Sequence, residues 1–199
     1  MIAITELDVV NACLATLGEL PLVELQDEHP LVAAARQNMR ESIIAETHKQ
    51  WWFNTDRLTL SSTEPEHFVY VPADAVAIQI DGRTDLAQRG RRLYDRMNST
   101  YVIPGIFRGW IVRALPFDDL PVSAQLLVQH ATVMRFQINY DADDSKTQKQ
   151  DRLYTMQYRL VNAEHTRQIA LNGLEVPNIA QKRMYAGVRP QRRGGIPVR

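Results

Sequence analysis

The chain has 199 residues, with 23 basic and 23 acidic side chains, 45% hydrophobic content and a single cysteine, Cys13. That length can bury a core of its own, and the composition excludes wholesale disorder. No apolar run reaches the roughly 18–20 residues that span a bilayer. One cysteine excludes an intramolecular disulfide or a cysteine zinc site built within one chain. Glu6, Asp8 and Glu19, with no basic start, speak against a secretory leader.

The zero net charge conceals a gradient. Residues 1–66 hold eleven acids and four bases, a net of −7, and residues 67–166 hold eleven acids and twelve bases, a net of +1. Residues 167–199 hold one acid and seven bases, a net of +6. Such a chain suits contact between its basic end and an anionic surface or the acidic end of another copy.

The first element is a predicted helix capped by Thr5, with Leu7, Val10, Leu14 and Leu17 at helical spacing and Gly18 as its C-terminal glycine. A loop over 19–29 leads to Pro30 at a first helical position, then to a second helix bearing Val32, Ala35, Met39, Ile43, Thr47 and Trp51. Each helix offers one apolar stripe, so the two pack together. Over about 56–115 the pattern shortens to alternating runs, among them Leu58–Leu60, His67–Val71, Ala75–Ile80, Tyr101–Ile103 and Trp110–Leu115. Turn residues such as Asp81-Gly82 and Pro104-Gly105 separate them, which predicts an antiparallel β region. Arg89, Gly90, Arg91 and Arg92 read as a basic hairpin tip.

Helix resumes after Asp118-Asp119-Leu120-Pro121, an acidic cap with proline in the first turn. Residues 120–140 carry two apolar faces, one through Leu127, Ala131, Met134 and Ile138, the other through Val122, Leu126, Val133 and Tyr140. Such a helix is central to its bundle or has a neighbouring subunit behind it. A last helix over 146–172 has Leu153, Met156, Leu160 and Ala163 on one side and Tyr154, Tyr158, Val161 and His165 on another, and Gly173 ends it. Prolines and glycines after it predict an extended arm. The expected fold is α+β. An antiparallel bundle of four main helices (1–55 and 116–172) carries an inserted small antiparallel β domain (56–115) and an extended basic C-terminal arm (173–199).

Candidate chemistry is sparse. The five histidines lack the i, i+4 pairing of a helical metal site. Asp141-Ala-Asp143-Asp144-Ser145 opens like a calcium loop, but Lys146 and Arg152 stand where that loop needs glycine and glutamate. No catalytic residue, cofactor or metal is assigned. Trp51-Trp52-Phe53-Asn54 is the densest aromatic cluster. A platform for stacking bases is one reading; an anchor between the helical and β parts, through Trp51, Trp52 and Phe53, is the better one. Cys13 reads as a small buried side chain.

Four stretches in this order resemble the tail tubular protein A family of short-tailed podovirus phages, over about residues 6–172. They are Val10–Leu22 with its Gly-Glu-Leu-Pro exit and Trp51-Trp52-Phe53-Asn54, where Gln50 replaces the family's usual glycine. The other two are Val69–Asp74 and Phe117-Asp118-Asp119-Leu120-Pro121. The resemblance implies a structural virion protein of the phage tail, assembled in the host cytoplasm. It implies a twelve-membered adaptor ring of identical subunits that connects the portal protein to the tail nozzle, a tubular protein B-like partner, and extends the DNA exit channel. Ring contacts are head-to-tail, so complementary charge at opposite ends of the chain fits. On this reading Lys182, Arg183, Arg189, Arg192 and Arg193 meet the portal or a neighbour, and Arg89, Arg91 and Arg92 meet the nozzle or the channel. DNA passes without specific binding, because phosphate contacts add affinity and resist sliding. Two other readings are a tail glycan hydrolase and a DNA-binding module using the basic arm. The hydrolase needs two carboxylates facing each other across a cleft, and Asp81, Asp85, Asp95 and Asp118 offer no evident pair.

Overall fold

A computed structural model describes residues 4–25, 29–140 and 143–175, and the side chains of 4–25, 29–140 and 143–169. The chain is mixed α+β. Its order is α1 (Glu6–Thr16), α2 (Val32–Thr47), β1 (Thr55–Thr63), β2 (Phe68–Val69), β3 (Ala75–Ile80), β4 (Leu86–Arg89), β5 (Arg92–Asp95) and β6 (Ile106–Arg113). A 3-10 turn over Phe117–Asp119 follows, then α3 (Val122–Tyr140) and α4 (Asp144–Glu175).

α1 starts and stops where local chemistry directs. Thr5 accepts from the Asp8 N–H, and Asp8 accepts from the Thr5 N–H in return, a reciprocal cap. At the other end Gly18 takes φ +79°, the Gly18 N–H bonds to the Ala15 carbonyl and the Glu19 N–H reaches back to the Leu14 carbonyl. Val10, Cys13 and Leu14 are buried against Val32, Ala35, Val133 and Phe136 of α2 and α3. α2 begins two residues later than Pro30 suggests, with Leu31 as an N-cap that makes no side-chain bond. It also ends at Thr47, so Trp51 is not on its stripe. Gln50, at φ +58°, turns the chain out of the helix before Trp51 is reached.

The strands form a four-stranded antiparallel sheet in the order β2-β1-β6-β3 and a β4-β5 hairpin. β1 and β6 pair from Thr55↔Val112 to Ser61↔Ile106, and β3 flanks β6 with Ile80↔Gly109. Leu60, Val69, Val71, Ile80, Leu93, Ile103 and Phe107 form the core of this part. On β6 the pleat alternates: Phe107, Gly109 and Ile111 are buried, while Ile106, Arg108 and Trp110 are exposed. The β-run expected at Tyr101–Ile103 makes only isolated bridges, through Thr100 to Asp95 and Val102 to Phe68, and β6 starts at Ile106 rather than Trp110.

Asp118 and Asp119 lie in the 3-10 turn and do not cap α3. The Pro121 carbonyl accepts from the Ala124 and Gln125 N–H groups, and Leu120 is extended between the two elements. α3 packs against α1, α2 and α4. Its two apolar faces are thus largely consumed within the chain, with Leu127, Val128, Ala131, Val133 and Phe136 buried, so they do not call for a subunit behind it. α4 opens with Asp143, whose carboxylate accepts from the Ser145 and Lys146 N–H groups. The helix runs through Gly173 to Glu175, so the expected arm cannot begin at residue 173. Residues 176–199 lie outside the described residues.

The largest departure concerns the face of α4. Val161 and Gln157 are buried and Tyr154, Tyr158 and His165 half-buried, facing Trp51 and Leu127. Leu153, Met156, Leu160 and Ala163, the more aliphatic stripe, are exposed. The aromatic face wins because its phenols and imidazole find partners in the packed interior, as the contacts below describe.

Candidate interaction surfaces

Trp51, Trp52 and Phe53 lie where α2, β1, β6 and α4 converge. The buried Trp51 indole donates to the Glu46 carbonyl at 2.8 Å, stacks on Phe53 with ring centroids 6.5 Å apart, and meets Tyr158 and His165 edge-on at 5.6 Å each. The Trp52 backbone N–H donates to His165 Nδ1 at 3.1 Å. Burial holds the His165 imidazole below its ordinary pKa, which keeps that nitrogen an acceptor. Asn54 is buried; its amide donates to the Thr47 and Arg113 carbonyls, and its own carbonyl accepts from the Arg113 N–H. These contacts tie the strand ends to the helix that precedes them.

Beside this cluster lies a network that periodicity cannot reveal. Glu46, on the stretch between the predicted apolar positions, is buried, and its carboxylate accepts from Lys49 at 2.7 Å and from the Tyr154 hydroxyl at 2.9 Å. Lys49 also donates to Tyr154 Oη and stands 5.0 Å from the centre of the Tyr158 ring. Burial pulls the Lys49 ammonium down, but the bonds to Glu46 and Tyr154 outweigh it and raise its pKa. Burial raises the Tyr154 phenol, with Lys49 opposing and Glu46 adding. Partners more than a hundred residues apart in sequence leave no local signal.

The basic tip is a two-residue β4-β5 turn, Gly90-Arg91, with Gly90 at φ +59°. Its arginines differ in what they touch. Arg89 lies over Tyr94 at 3.6 Å; Arg92 is half-buried over Tyr101 at 4.5 Å and Phe68 at 5.2 Å. Arg91 is exposed, and its carbonyl takes the Val71 N–H. Lys182, Arg183, Arg189, Arg192 and Arg193 lie outside the described residues.

The acids considered for hydrolysis are engaged by arginine or by backbone, with one exception. Asp81 accepts from Arg57 at 2.7 Å. Asp85 and Asp95, which sequence leaves unpaired, come together around Arg83, at 2.7 and 3.8 Å. The Arg83 hydrogen bond holds Asp85 below the ordinary carboxylate range, and bonds from the Asn98 backbone and side chain do the same for Asp95. A glycosidase general acid needs a raised pKa, the opposite condition. Asp118 lines a shallow cleft with Glu6, Arg36, Met39 and Arg40. Among the described residues no group of three or more His, Cys, Asp or Glu could hold a metal, and no helix is long and apolar enough to cross a membrane. Cys13 is fully buried, and burial pushes its thiol up to about 12.

The described surface therefore consists of packed anchors, neutralised acids and exposed apolar and basic patches. A family model described as tail tubular protein matches residues 7–173, taking in the helices and the strands between them. The chain is also 27% identical over 141 residues to tail tubular protein A of Klebsiella phage KP34, an alignment covering 70% of this chain and 75% of that one. By that match the chain belongs to the tail tubular protein family.

Proposed function

We propose that this tail tubular protein, a structural component of a phage tail, assembles into a twelve-membered ring that joins the portal to the tail nozzle and lengthens the DNA exit channel. The observation that carries the proposal is the extent of the family match, residues 7–173, which includes both the helical and the β elements. In this reading residues 1–55 and 116–172 form the ring-building helical bundle, and 56–115 form a β domain that projects from it. The Arg89-Gly90-Arg91-Arg92 tip meets the nozzle or lines the channel. Arg89 and Arg92 are fixed on aromatic rings, so they present guanidinium edges at little further cost in side-chain entropy. Lys182, Arg183, Arg189, Arg192 and Arg193 reach the portal or a neighbouring subunit. Zero net charge suits a conduit through which DNA must slide.

Electron microscopy of the protein mixed with the portal ring of the same phage tests this. The expected result is a collar on one portal face, lost when residues 174–199 are deleted. A folded protein and an intact portal that do not associate would refute the connector role. Association that survives the deletion would refute the role given to the basic residues of the arm.

A further inference from the structure

The outward stripe of α4 is the apolar surface that the fold leaves uncovered. Leu153 is 43% exposed, Met156 57% and Leu160 53%, and Ala163 continues the row. Their spacing of three, four and three is the narrow seam of a helix meeting another surface lengthwise. Lys149 and Arg167 extend the row at either end, and Arg152 and Arg159 border it, all exposed. Among the described residues none of these four bases pairs with an acid.

A surface of opposite charge and equal apolarity lies elsewhere on the chain. The loop after α1 exposes Leu20 and Val23, each 84%, between the exposed acids Glu19 and Glu24. The loop is held in place from within: Asn11 donates to the Leu22 carbonyl at 3.0 Å and accepts from its N–H at 2.8 Å. Asn11 lies about 100° around α1 from Ala12, which with Ala15 and Thr16 borders the cleft toward His130 of α3 and Gln150 of α4. Lys146 of α4 donates to the Thr16 carbonyl on that same flank. The acidic loop and the basic seam thus lie on different flanks of α1.

From this geometry we infer that the α4 seam of one copy docks on the Glu19–Glu24 loop of a second copy. The inference rests on the ring reading and specifies its subunit contact. An isologous pairing of two α4 seams would bring Arg152 and Arg159 of one helix against the same residues of the other, and the like charges oppose it. The loop offers the acids those arginines lack. Because the two patches differ, each copy keeps one of each free, and the contact repeats head to tail until it closes.

The test uses the full chain with Leu20→Cys and Met156→Cys together; the buried native Cys13 stays unreactive. Mild oxidation is expected to give a ladder of covalent dimers, trimers and higher multimers from the double variant, and no ladder from either single variant. In the unmodified background Leu160→Glu, an exposed change, is expected to weaken self-association in mass photometry at least tenfold while circular dichroism stays the same. Dimers from Met156→Cys alone would assign the seam to isologous pairing and overturn the inference. Rings seen by electron microscopy without the ladder would overturn the contact and leave the ring reading standing. A chain that stays monomeric and unlinked at every concentration would overturn the contact, and the portal mixture would then decide the ring reading separately.

Discussion

Gly109 sits in the middle of β6, between Leu58 on β1 and Ile80 on β3. A Cβ at this position would fall 2.1 Å from the Gln79 carbonyl oxygen and 3.0 Å from Ile80 Cα. Both are backbone atoms, so no side-chain rotation relieves the contact. Gly109→Ala thus forces β3 about 1 Å away from β6, and it strains the adjacent Asp81 N–H bond to the Arg108 carbonyl. Overpacking of this kind costs about 3 kcal/mol. Stiffening the unfolded chain returns about 0.5–1 kcal/mol. The net loss of about 2 kcal/mol lowers the melting temperature by roughly 4–8 °C for a chain of this size. Urea unfolding and calorimetry measure the loss. Hydrogen exchange localises it: the Asp81 amide should exchange faster in Gly109→Ala while the α3 amides keep their order of protection. The exposed neighbour Arg108→Ala serves as control. A Gly109→Ala protein within 0.5 kcal/mol of the parent, with the Asp81 amide unchanged, would refute the close-approach argument.

Three further outcomes follow from the same geometry. Gln50 occupies the left-handed region at φ +58°, so Gln50→Gly should stabilise the fold by about 1 kcal/mol in urea unfolding; a destabilised variant would show that the turn is not strained. The Cys13 thiol, buried and pushed up to about 12, should resist Ellman's reagent at pH 8 in the folded protein and react only at the rate of unfolding. Rapid labelling of the native chain would contradict its placement. Burial lowers the native pKa of both His130 and His165, so below pH 6.5 the unfolded chain binds more protons. Stability should then hold above pH 6.5 and fall as pH drops toward the depressed native values. His165→Asn should flatten part of that slope in urea midpoints measured at pH 7 and 5.5, and an unchanged slope would remove His165 from the account.

What sequence revealed depended on whether the deciding interaction was local. The α1 cap, its glycine exit and the burial of Cys13 follow from neighbours within four residues, and so does the Gly90-Arg91 turn. The end of α2 was hidden because Gln50, an ordinary helix former, adopts a conformation set by the fixing of Trp51 beneath His165 and Tyr158. On α4, ranking faces by apolarity selects Leu153, Met156 and Leu160. The interior instead takes Tyr154, Tyr158 and His165, whose polar atoms meet Glu46, Lys49 and Trp52. Glu46 itself looks like a surface acid until its distant partners are in place. The joining of Asp85 to Asp95 through Arg83 likewise needs the hairpin closed and the following turn formed.

The chain passes from helices to strands and back through two adjacent strands. β1 leaves at Thr55, β6 returns at Arg113, and Arg113 clamps both sides by bonding to Asp56 and to Asp74. Mechanically this is a hinge plate loaded from one end. A pull on the far end of the sheet, along the strands, runs down β1 and β6 side by side and does not shear their ladder. Spreading α2 from α3 would instead peel the ladder rung by rung, beginning at the bond between Asn54 and Arg113. The junction is stiff under tension and weak under splaying, and the packing of α2 on α3 with Trp51 wedged at the corner guards the weak direction.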